Sequence, residues 1–433
     1  MRRVVITGMG AISPLGNTVE SLWQALQQGR SGVAPVPADQ GVLARSFAGQ
    51  ARDFTGHIND FGPLEGELKK AIRKGLKVMC RESQMGVAAA QRAIHDAGIS
   101  PGVLDPERAG VVFGSDYMLT APDEFTSAMR VCAPEDRKFE FSRWASTGMS
   151  QLSPLWLLKY LPNMPASHIA IYNDYRGPNN SLTLREAASN LAVGEAFRVI
   201  QRGHADCMLA GATGTRVHPM KALHAVIQEE IAHSEQDPQR ASRPFDMNRS
   251  GMVLGEGAGA ILMEELGAAQ ARGARIYAEI VGAGSSSVID RSRVAQRAKA
   301  LGNAIRSTLR DAGFTVADIG HINAHGLGTR SGDAEEAAAI REVFNGRSTS
   351  VPVTAAKSYF GNLGAGGGIV ELIAGTLALA HNQLFPILNY ETPDPECPVA
   401  AVTGRDIPPG DSFLKLSVTP QGQASCLLIR RCA

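Results

Sequence analysis

Short apolar runs alternate along this chain with helical stretches. The first series of such runs is VVITG, GVVFGSD, ASHIAIYN, NNSLTL and DCMLAG, and the second is ARIYAEIVGAG, HINAHG, VPVTAAK, FLKLSV and SCLLIRR. Apolar strands that alternate with helices are typical of a sheet covered on both faces. The pattern therefore predicts an α/β fold with a buried, largely parallel sheet.

The two series of strands predict two similar halves. RRVVITGMG opens the first series and ARIYAEIVGAG opens the second, and glycines close each strand. With 433 residues, the chain is also longer than the size at which single cores usually stop growing. We therefore predict a duplicated architecture with halves at residues 1–265 and 266–433.

The stretch from Tyr117 to Lys159 breaks this alternation. It is irregular, contains Trp144, Trp156 and several prolines, and resembles an insertion. Loops of this length in compact domains are usually lids or interface elements. We expect this segment to cover another part of the molecule.

Composition and charge exclude several classes of function. The 43 Lys and Arg residues nearly balance the 42 Asp and Glu residues without a basic block, which argues against nucleic acid as a partner. No apolar run approaches a membrane span, and the N-terminal run is too short for a signal peptide. The six cysteines are scattered without metal-ligand spacing, so we predict reduced thiols in a cytoplasmic protein, with Cys207 in the core.

Candidate chemistry lies in SLTLREAASN, where a strand at residues 181–184 runs into a helix. Many α/β enzymes present a nucleophile at such a turn, because the helix N-terminus stabilises negative charge. Here the candidate side chain is the carboxylate of Glu186. The alternative is an acidic residue that only interacts favourably with the helix dipole, and Arg185 is interpreted as an ion-pair or interface residue.

Four motifs occur in order along the whole chain. They are RRVVITGMGAISPLGNTVESLWQAL, SRPFDMNRSGMVLGEGAGAILMEE, HINAHGLGTRSGDAEEAAAI and KSYFGNLGAGGGIVELIAGTLAL. In this order they resemble the β-ketoacyl-ACP synthase family, the condensing enzymes of fatty-acid and polyketide synthesis. The resemblance implies a thiolase-like, five-layered αβαβα fold that is normally a dimer and that acts on acyl chains held by acyl carrier protein.

The resemblance also implies a Cys nucleophile at the strand-to-helix turn and two histidines on later loops. Glu186 stands at the Cys position, His325 is retained in NAHGLGT, and Asn362 replaces the second histidine. The gating loop near the C-terminus is replaced by Thr419-Pro420-Gln421-Gly422. The expected set of catalytic residues is therefore incomplete.

Residues that match the supporting positions of the family are present. They are Asp333, Lys357 and Glu371, and a Lys-Glu pair is expected to organise the loop of His325. We expect Glu186 to form an ion pair with a protonated His325 and to accept a hydrogen bond from Asn362. The acidic helix DAEEAAAI is interpreted as a solvated face rather than a metal site. The glycines at 364–368 lack the other residues of a phosphate loop, so no cofactor is expected.

These features favour a non-condensing homologue that resembles the chain-length factor of type II synthases. Such a subunit pairs with an active ketosynthase, and the alanines at 188, 192 and 196 form a stripe that allows close approach of another element. An ordinary homodimer is the alternative assembly. The alternative activities are malonyl-ACP decarboxylation and acid/base chemistry by Glu186 and His325 on a carrier-bound acyl chain.

Overall fold

The structure is a computed structural model that describes residues 1–37, 47–100, 102–133, 138–233 and 237–432. Its strands are β1 (Val4–Ile12), β2 (Val33–Pro35), β3 (Phe47–Gly49), β4 (Ala109–Ser115), β5 (Asn179–Thr183), β6 (Cys207–Thr215), β7 (Glu256–Glu265), β8 (Ala278–Ser287), β9 (His321–Asn323), β10 (Pro352–Thr354), β11 (Ala400–Ala401), β12 (Ser412–Val418) and β13 (Gln423–Arg430). Its helices are α1 (Val19–Gln28), α2 (Gly66–Gly75), α3 (Arg81–Asp96), α4 (Thr126–Val131), α5 (Met164–Asn173), α6 (Ala188–Gln201), α7 (Pro219–Gln228), α8 (Leu266–Ala271), α9 (Arg297–Ala312), α10 (Arg330–Phe344), α11 (Lys357–Phe360) and α12 (Gly367–Ala380).

Eleven strands form one hydrogen-bonded sheet in the order β11-β10-β9-β12-β13-β8-β1-β7-β6-β4-β5. The pairs at the two ends of this sheet are parallel, whereas the five pairs from β12 to β6 are antiparallel. The prediction of a largely parallel sheet is therefore wrong. It missed β7, whose run GAGAILMEE pairs antiparallel with both β1 and β6.

The sheet consists of two parts that meet between β1 and β8. Only three residue pairs join these strands, at Val4 with Ile280, Val5 with Glu279 and Ile6 with Ala278. Strands β4 to β7 lie on one side of the junction with β1, and strands β9 to β13 lie on the other side with β8. The boundary at residues 265 and 266 stays a prediction about domains.

Helices cover the outer faces of both parts of the sheet, and two further helices lie between the inner faces. Helices α6 and α12 contact strands of both parts and form a middle layer. Helix α3 packs on β1, β6 and β7 and α5 packs on β4, whereas α9 packs on β8 and β13 and α10 packs on α9. The resulting layers are α, β, α, β and α, which is the thiolase-like architecture that the resemblance implies.

The middle layer explains two features of the sequence. Every residue of α12 from Gly367 to Leu379 is buried, because this helix lies between two sheet faces. The small residues Ala188, Ala192 and Ala196 of α6 are also fully buried. The alanine stripe therefore packs inside its own chain and is not a surface for a partner.

Two segments differ from the sequence-based expectation. ASHIAIYN belongs to helix α5 and not to a strand; a short apolar run is compatible with either structure, and Pro165 in the first turn favours a helix start. The irregular segment between Tyr117 and Lys159 contains α4 and several single turns. There Phe125 packs against Trp144 and Trp156 with ring centroids 6.1 and 5.2 Å apart. Within the described ranges, no helix has the length and apolar character that crossing a bilayer requires.

Candidate functional site

The turn between β5 and α6 brings Glu186 into the interior. After β5 ends at Thr183, a single 3-10 turn at Arg185–Ala187 leads into α6. Arg185 has a φ of 49°, in the left-handed region that non-glycine residues rarely adopt. Such a backbone conformation costs about 1–3 kcal/mol, so surrounding contacts have to hold the turn in place.

The main partner of Glu186 is an arginine that the sequence analysis did not identify. Arg216 Nη2 lies 2.5 Å from Glu186 Oε1, and Asn362 Nδ2 donates to the same oxygen at 3.1 Å. Arg216 directly follows β6, which runs parallel to β4 just as β5 does. The carboxyl ends of β5 and β6 therefore meet at one edge of the sheet, where the two side chains pair.

The charge of Glu186 follows from these contacts. Burial by itself raises the pKa of this carboxyl group, since only 2% of the residue is exposed. Arg216 and Arg185 outweigh that effect and, with the hydrogen bond from Asn362, hold the pKa of Glu186 well below its ordinary value. Glu186 is therefore an anion at any pH near neutrality.

Glu186 and Arg216 belong to a larger buried group, which we term the arginine cluster. Its members are Arg185, Arg216, Asp116, Glu186 and Glu229. Glu229 Oε1 lies 2.6 Å from Arg185 Nη2 and 3.8 Å from Arg216 Nη1, and Asp116 Oδ2 lies 3.5 Å from Arg216 Nη2. Two guanidinium groups and three carboxyl groups thus occupy the space in front of position 186. The interpretation of Arg185 as an ion-pair residue agrees with these distances.

His325 lies close to this cluster but carries no positive charge. Burial and the ammonium groups of Lys357 and Lys415 lower the pKa of His325 well below its ordinary value. Lys357 Nζ lies 3.2 Å from His325 Nδ1 and donates to the His325 carbonyl oxygen at 2.8 Å. The expected ion pair between Glu186 and a protonated His325 is therefore wrong, because Arg216 is the counter-ion and His325 is neutral.

A second buried network holds the loop of His325, and we term it the lysine network. It consists of Lys357, Glu371 and Lys415, of which sequence analysis missed the last. Glu371 Oε1 lies 2.6 Å from Lys357 Nζ, and Glu371 Oε2 lies 2.7 Å from Lys415 Nζ. Burial raises the pKa of Glu371, but the two lysines reverse the shift and lower it. The Lys-Glu pair lies where the resemblance expects it.

Two acidic side chains of α10 hold the same loop from the other direction. Asp333 accepts hydrogen bonds from the backbone of Leu327 and Gly328, each at 3.0 Å. Glu336 accepts from the backbone N–H of His325 at 2.7 Å and is only 1% exposed. The interpretation of DAEEAAAI as a solvated face is therefore wrong for these residues. Burial also raises the pKa of Asp333 to about 7.

Asn362 and the turn at residues 419–422 complete the set of predicted positions. Asn362 is fully buried, and its Oδ1 accepts from Gly364 N at 3.0 Å while Nδ2 binds Glu186. Thr419, Pro420, Gln421 and Gly422 form the tight turn between β12 and β13, in which Gly422 has a φ of 85°. Among the described residues, no hydrogen bond or ion pair of this turn reaches Glu186, His325 or Asn362.

The three central positions are closed to solvent. Glu186, His325 and Asn362 are 2%, 4% and 0% exposed. A cavity of about 1040 Å³ opens near the carboxyl ends of β4 and β6, but none of the three residues lines it. The described residues also contain no group of His, Cys, Asp and Glu side chains arranged to hold a metal ion. All six cysteines are free, and Cys207 lies in the core, as predicted.

Comparison with known proteins gives matches along most of the chain. The family profile described as "Beta-ketoacyl synthase, N-terminal domain" matches residues 1–269, and the profile "Beta-ketoacyl synthase, C-terminal domain" matches residues 277–391. The 3-oxoacyl-[acyl-carrier-protein] synthase 2 of Synechocystis sp. is 33% identical over 405 residues, which are 93% of this chain and 92% of that protein.

Solved structures match over the full length. The ishigamide ketosynthase/chain length factor has a TM-score of 0.82 and 28% identity, with 100% of both chains covered. A beta-ketoacyl synthase from Burkholderia phymatum has a TM-score of 0.83 and 27% identity, again with 100% of both chains covered. These similarities support both the resemblance and the layered architecture.

Proposed function

The chain belongs to the β-ketoacyl synthase family, and from this premise we propose that it is a non-condensing member that pairs with an active ketosynthase, as a chain-length factor does. The observation that carries this proposal is the ion pair between Glu186 and Arg216 at the nucleophile position. A condensing enzyme needs a group there that accepts an acyl chain and later releases it. An ionised carboxylate held by a guanidinium and an amide has no such role.

The state of Glu186 also weighs against the alternative activities. Decarboxylation of a malonyl group builds negative charge on an enolate oxygen, which needs hydrogen-bond donors and not a nearby anion. Acid catalysis by Glu186 needs a proton on its carboxyl group, but its pKa lies well below the ordinary value. Malonyl-ACP decarboxylation and acid/base catalysis would therefore both require that Arg216 and Arg185 no longer hold Glu186 in its ionised form.

The names of two relatives suggest the kind of biosynthetic pathway in which the chain acts. The Synechocystis relative is named as a synthase that uses acyl carrier protein, and one solved neighbour is a ketosynthase/chain length factor. We place this chain in fatty-acid or polyketide synthesis, with acyl carrier protein or an acyl-ACP as its partner in that pathway.

The edge of the sheet supports pairing with another subunit. Strand β5 ends the sheet, and its residues Asn179, Asn180 and Thr183 are exposed. A neighbouring groove is lined by Leu182, Leu184 and other side chains. An open strand edge beside apolar side chains suits the addition of a partner strand. We propose an unlike partner that carries a complete Cys-His-His set.

Coexpression with candidate ketosynthases, followed by native mass spectrometry, tests the proposed assembly. We expect a one-to-one complex whose product chain length differs from that of the ketosynthase alone. Intact-protein mass spectrometry of this chain after incubation with acyl-ACP tests the missing nucleophile. An acyl adduct that hydroxylamine removes, together with a β-ketoacyl product, would contradict a non-condensing role, and a homodimer that never exchanges would contradict the unlike partner.

A further inference from the structure

A groove of about 620 Å³ lies between α9 and α10 on the outer surface of the molecule, and no step of the proposed function uses it. Residues of α9, of α10 and of the segment 314–316 line this groove. Small-molecule sites in proteins commonly have volumes of about 300–1000 Å³. The groove therefore has room for a small organic molecule.

The floor of the groove is apolar. It consists of one buried residue, Leu309, and of three partly buried ones, Phe314, Val316 and Val343. These side chains pack on the hydrophobic core beneath α9 and α10. Arg347 Nη1 holds the floor from one side, because it donates to the carbonyl oxygen of Val316 at 3.0 Å. Three apolar side chains thus keep part of their surface in water, and an apolar ligand that covers this surface gains free energy of binding.

Two arginines of α9 lie at the rim of the groove, and only one of them is paired. Arg306 Nη2 lies 2.6 Å from Glu342 Oε1. The side chain of Arg310 has no hydrogen bond or ion pair with any residue in the described ranges. The two arginines are four residues apart on one helix, where like charges repel each other. Both are exposed, so a ligand in the groove can reach the free guanidinium group of Arg310.

The acidic side chains near Arg310 in the chain are engaged elsewhere. Asp311 Oδ2 lies 2.5 Å from Arg198 Nη2. Asp318 Oδ2 accepts a hydrogen bond from the backbone N–H of Thr315 at 2.7 Å. Of the described residues that line the groove, none is acidic. A negative charge on a ligand would therefore pair with Arg310 without competition from the protein.

We propose that this groove binds an alkyl carboxylate, the chemistry of a free fatty acid, with its alkyl chain on the floor and its carboxylate on Arg310. A guanidinium group presents two parallel N–H donors that match the two oxygens of a carboxylate. One free guanidinium group balances one negative charge. The site is independent of whether the chain condenses acyl groups, because Glu186, His325 and Asn362 do not line it.

Equilibrium dialysis of radiolabelled decanoate against the full chain at pH 8 tests the site, with decanamide as the neutral probe of equal length. Both probes are used below the concentration at which decanoate forms micelles. We expect saturable binding of one decanoate per chain and binding of decanamide that is weaker by about three- to tenfold, because the amide lacks the charge that pairs with Arg310. Equal affinities of the two probes would overturn the role of Arg310.

Salt gives a second measure of the ion pair. Raising the NaCl concentration from about 50 to 500 mM screens exposed charges. The affinity for decanoate should fall over this range, whereas the affinity for decanamide should not. A decanoate affinity that does not respond to salt would contradict binding through Arg310.

Variants locate the binding. Arg310→Gln removes the positive charge but keeps a good helix former, so it should weaken decanoate binding about three- to tenfold and leave decanamide binding unchanged. Val316→Trp and Val343→Trp fill the groove and should abolish binding of both probes. The matched control is Arg341→Gln on α10, because Arg341 is exposed and does not line the groove.

Three results would refute the site. They are absence of saturable decanoate binding to the wild type, full decanoate affinity in Arg310→Gln, and full affinity in both tryptophan variants. Thermal melting identifies any variant that does not fold, and the second tryptophan position replaces the first if one of them fails. An equal loss of decanoate binding in the Arg341→Gln control would show that binding follows the net charge of the chain and not the groove.

Discussion

The arginine cluster and the lysine network are both largely buried, but their positive charges have different effects. In the arginine cluster, Arg216 neutralises the carboxylate of Glu186, at the position where the resemblance implies a thiol. In the lysine network, Lys357 and Lys415 flank Glu371, and Lys357 also fixes the loop of His325. The comparison teaches that the loop of His325 is held by Lys357 and Glu371 even though position 186 carries a carboxylate paired with Arg216.

The largest effect is expected when a thiol is introduced at position 186. Glu186→Cys alone should condense malonyl-ACP with acyl-ACP at no more than about 1% of the rate of Glu186→Cys combined with Asn362→His, because Asn362 cannot transfer a proton. Arg216, freed from its carboxylate, should lower the pKa of the introduced thiol and speed its alkylation by iodoacetamide. Mass analysis of the β-ketoacyl product measures the rates. Equal rates for the two variants would show that Asn362 is not the obstacle.

The second prediction compares the stabilities of the two regions. Arg216→Met leaves Glu186 as a poorly compensated buried anion and should lower the free energy of unfolding by about 3–5 kcal/mol. Adding Glu186→Gln should recover most of this loss. The matched control is Lys415→Met, which should cost less because Lys357 Nζ still lies 2.6 Å from Glu371, whereas the cation left to Glu186 is the more exposed Arg185, with its Nε at 3.4 Å. Urea unfolding midpoints give the order, and a larger loss for Lys415→Met would reverse our view of the two regions.

A third prediction concerns decarboxylation beside His325. The wild type should release carbon dioxide from malonyl-ACP slowly at neutral pH, because ionised Glu186 repels the developing enolate. Glu186→Gln replaces this anion with an amide donor and should raise the rate about tenfold. Radiometric measurement of carbon dioxide gives the sign of the change. A fast wild-type reaction that falls in the glutamine variant would establish the decarboxylase alternative.

The smallest expected effect is a difference in the pH response of two acids, Glu186 of the arginine cluster and Asp333, which holds the loop of His325 together with the lysine network. The pKa of Glu186 is lower in the folded chain than the unfolded value of about 4.3, so its contribution is present above that pH and is lost on acidification. Asp333 has a folded pKa of about 7, above its unfolded value of about 3.9, so its contribution is complete below about pH 3.9 and declines as the pH rises from there to about 7. Each effect should reach about 1 kcal/mol or more.

Unfolding midpoints between pH 3 and 8 separate these two contributions. Glu186→Gln should flatten the loss of stability on the acid side, whereas Asp333→Asn should flatten the decline between about pH 4 and 7. A change of the same sign in both variants would contradict the opposite pKa shifts of the two acids.

The sequence predicts the parts of the site that short motifs carry. NAHGLGT and KSYFGN identify His325, Lys357 and Asn362, and the structure brings these side chains together with Glu186. The hydrogen bond from Asn362 to Glu186 was expected and is present. Motif order was also sufficient for the layered fold, although the sheet is only half parallel.

Arg216 could not be identified in the same way, because its contact depends on where two strands end. Thirty residues separate it from Glu186 in the chain, and only the parallel arrangement of β5, β4 and β6 brings them together. The available signal was a charged residue directly after the fully buried strand CMLAGATGT. The neutrality of His325 also depends on tertiary packing, since its pKa is lowered first by burial and then by Lys357 and by Lys415, which lies 90 residues further along the chain.

The central place of β1 in the sheet has a consequence for synthesis of the protein. This first strand, all of whose residues are buried, pairs with β7 and β8, which follow about 250 residues later. At ribosomal rates of about 5–20 residues per second, the strand waits roughly 12–50 seconds for its partners. Throughout that time β1 lacks both of its neighbouring strands on the nascent chain. Production of this protein should therefore depend on chaperones that shield its N-terminus during translation.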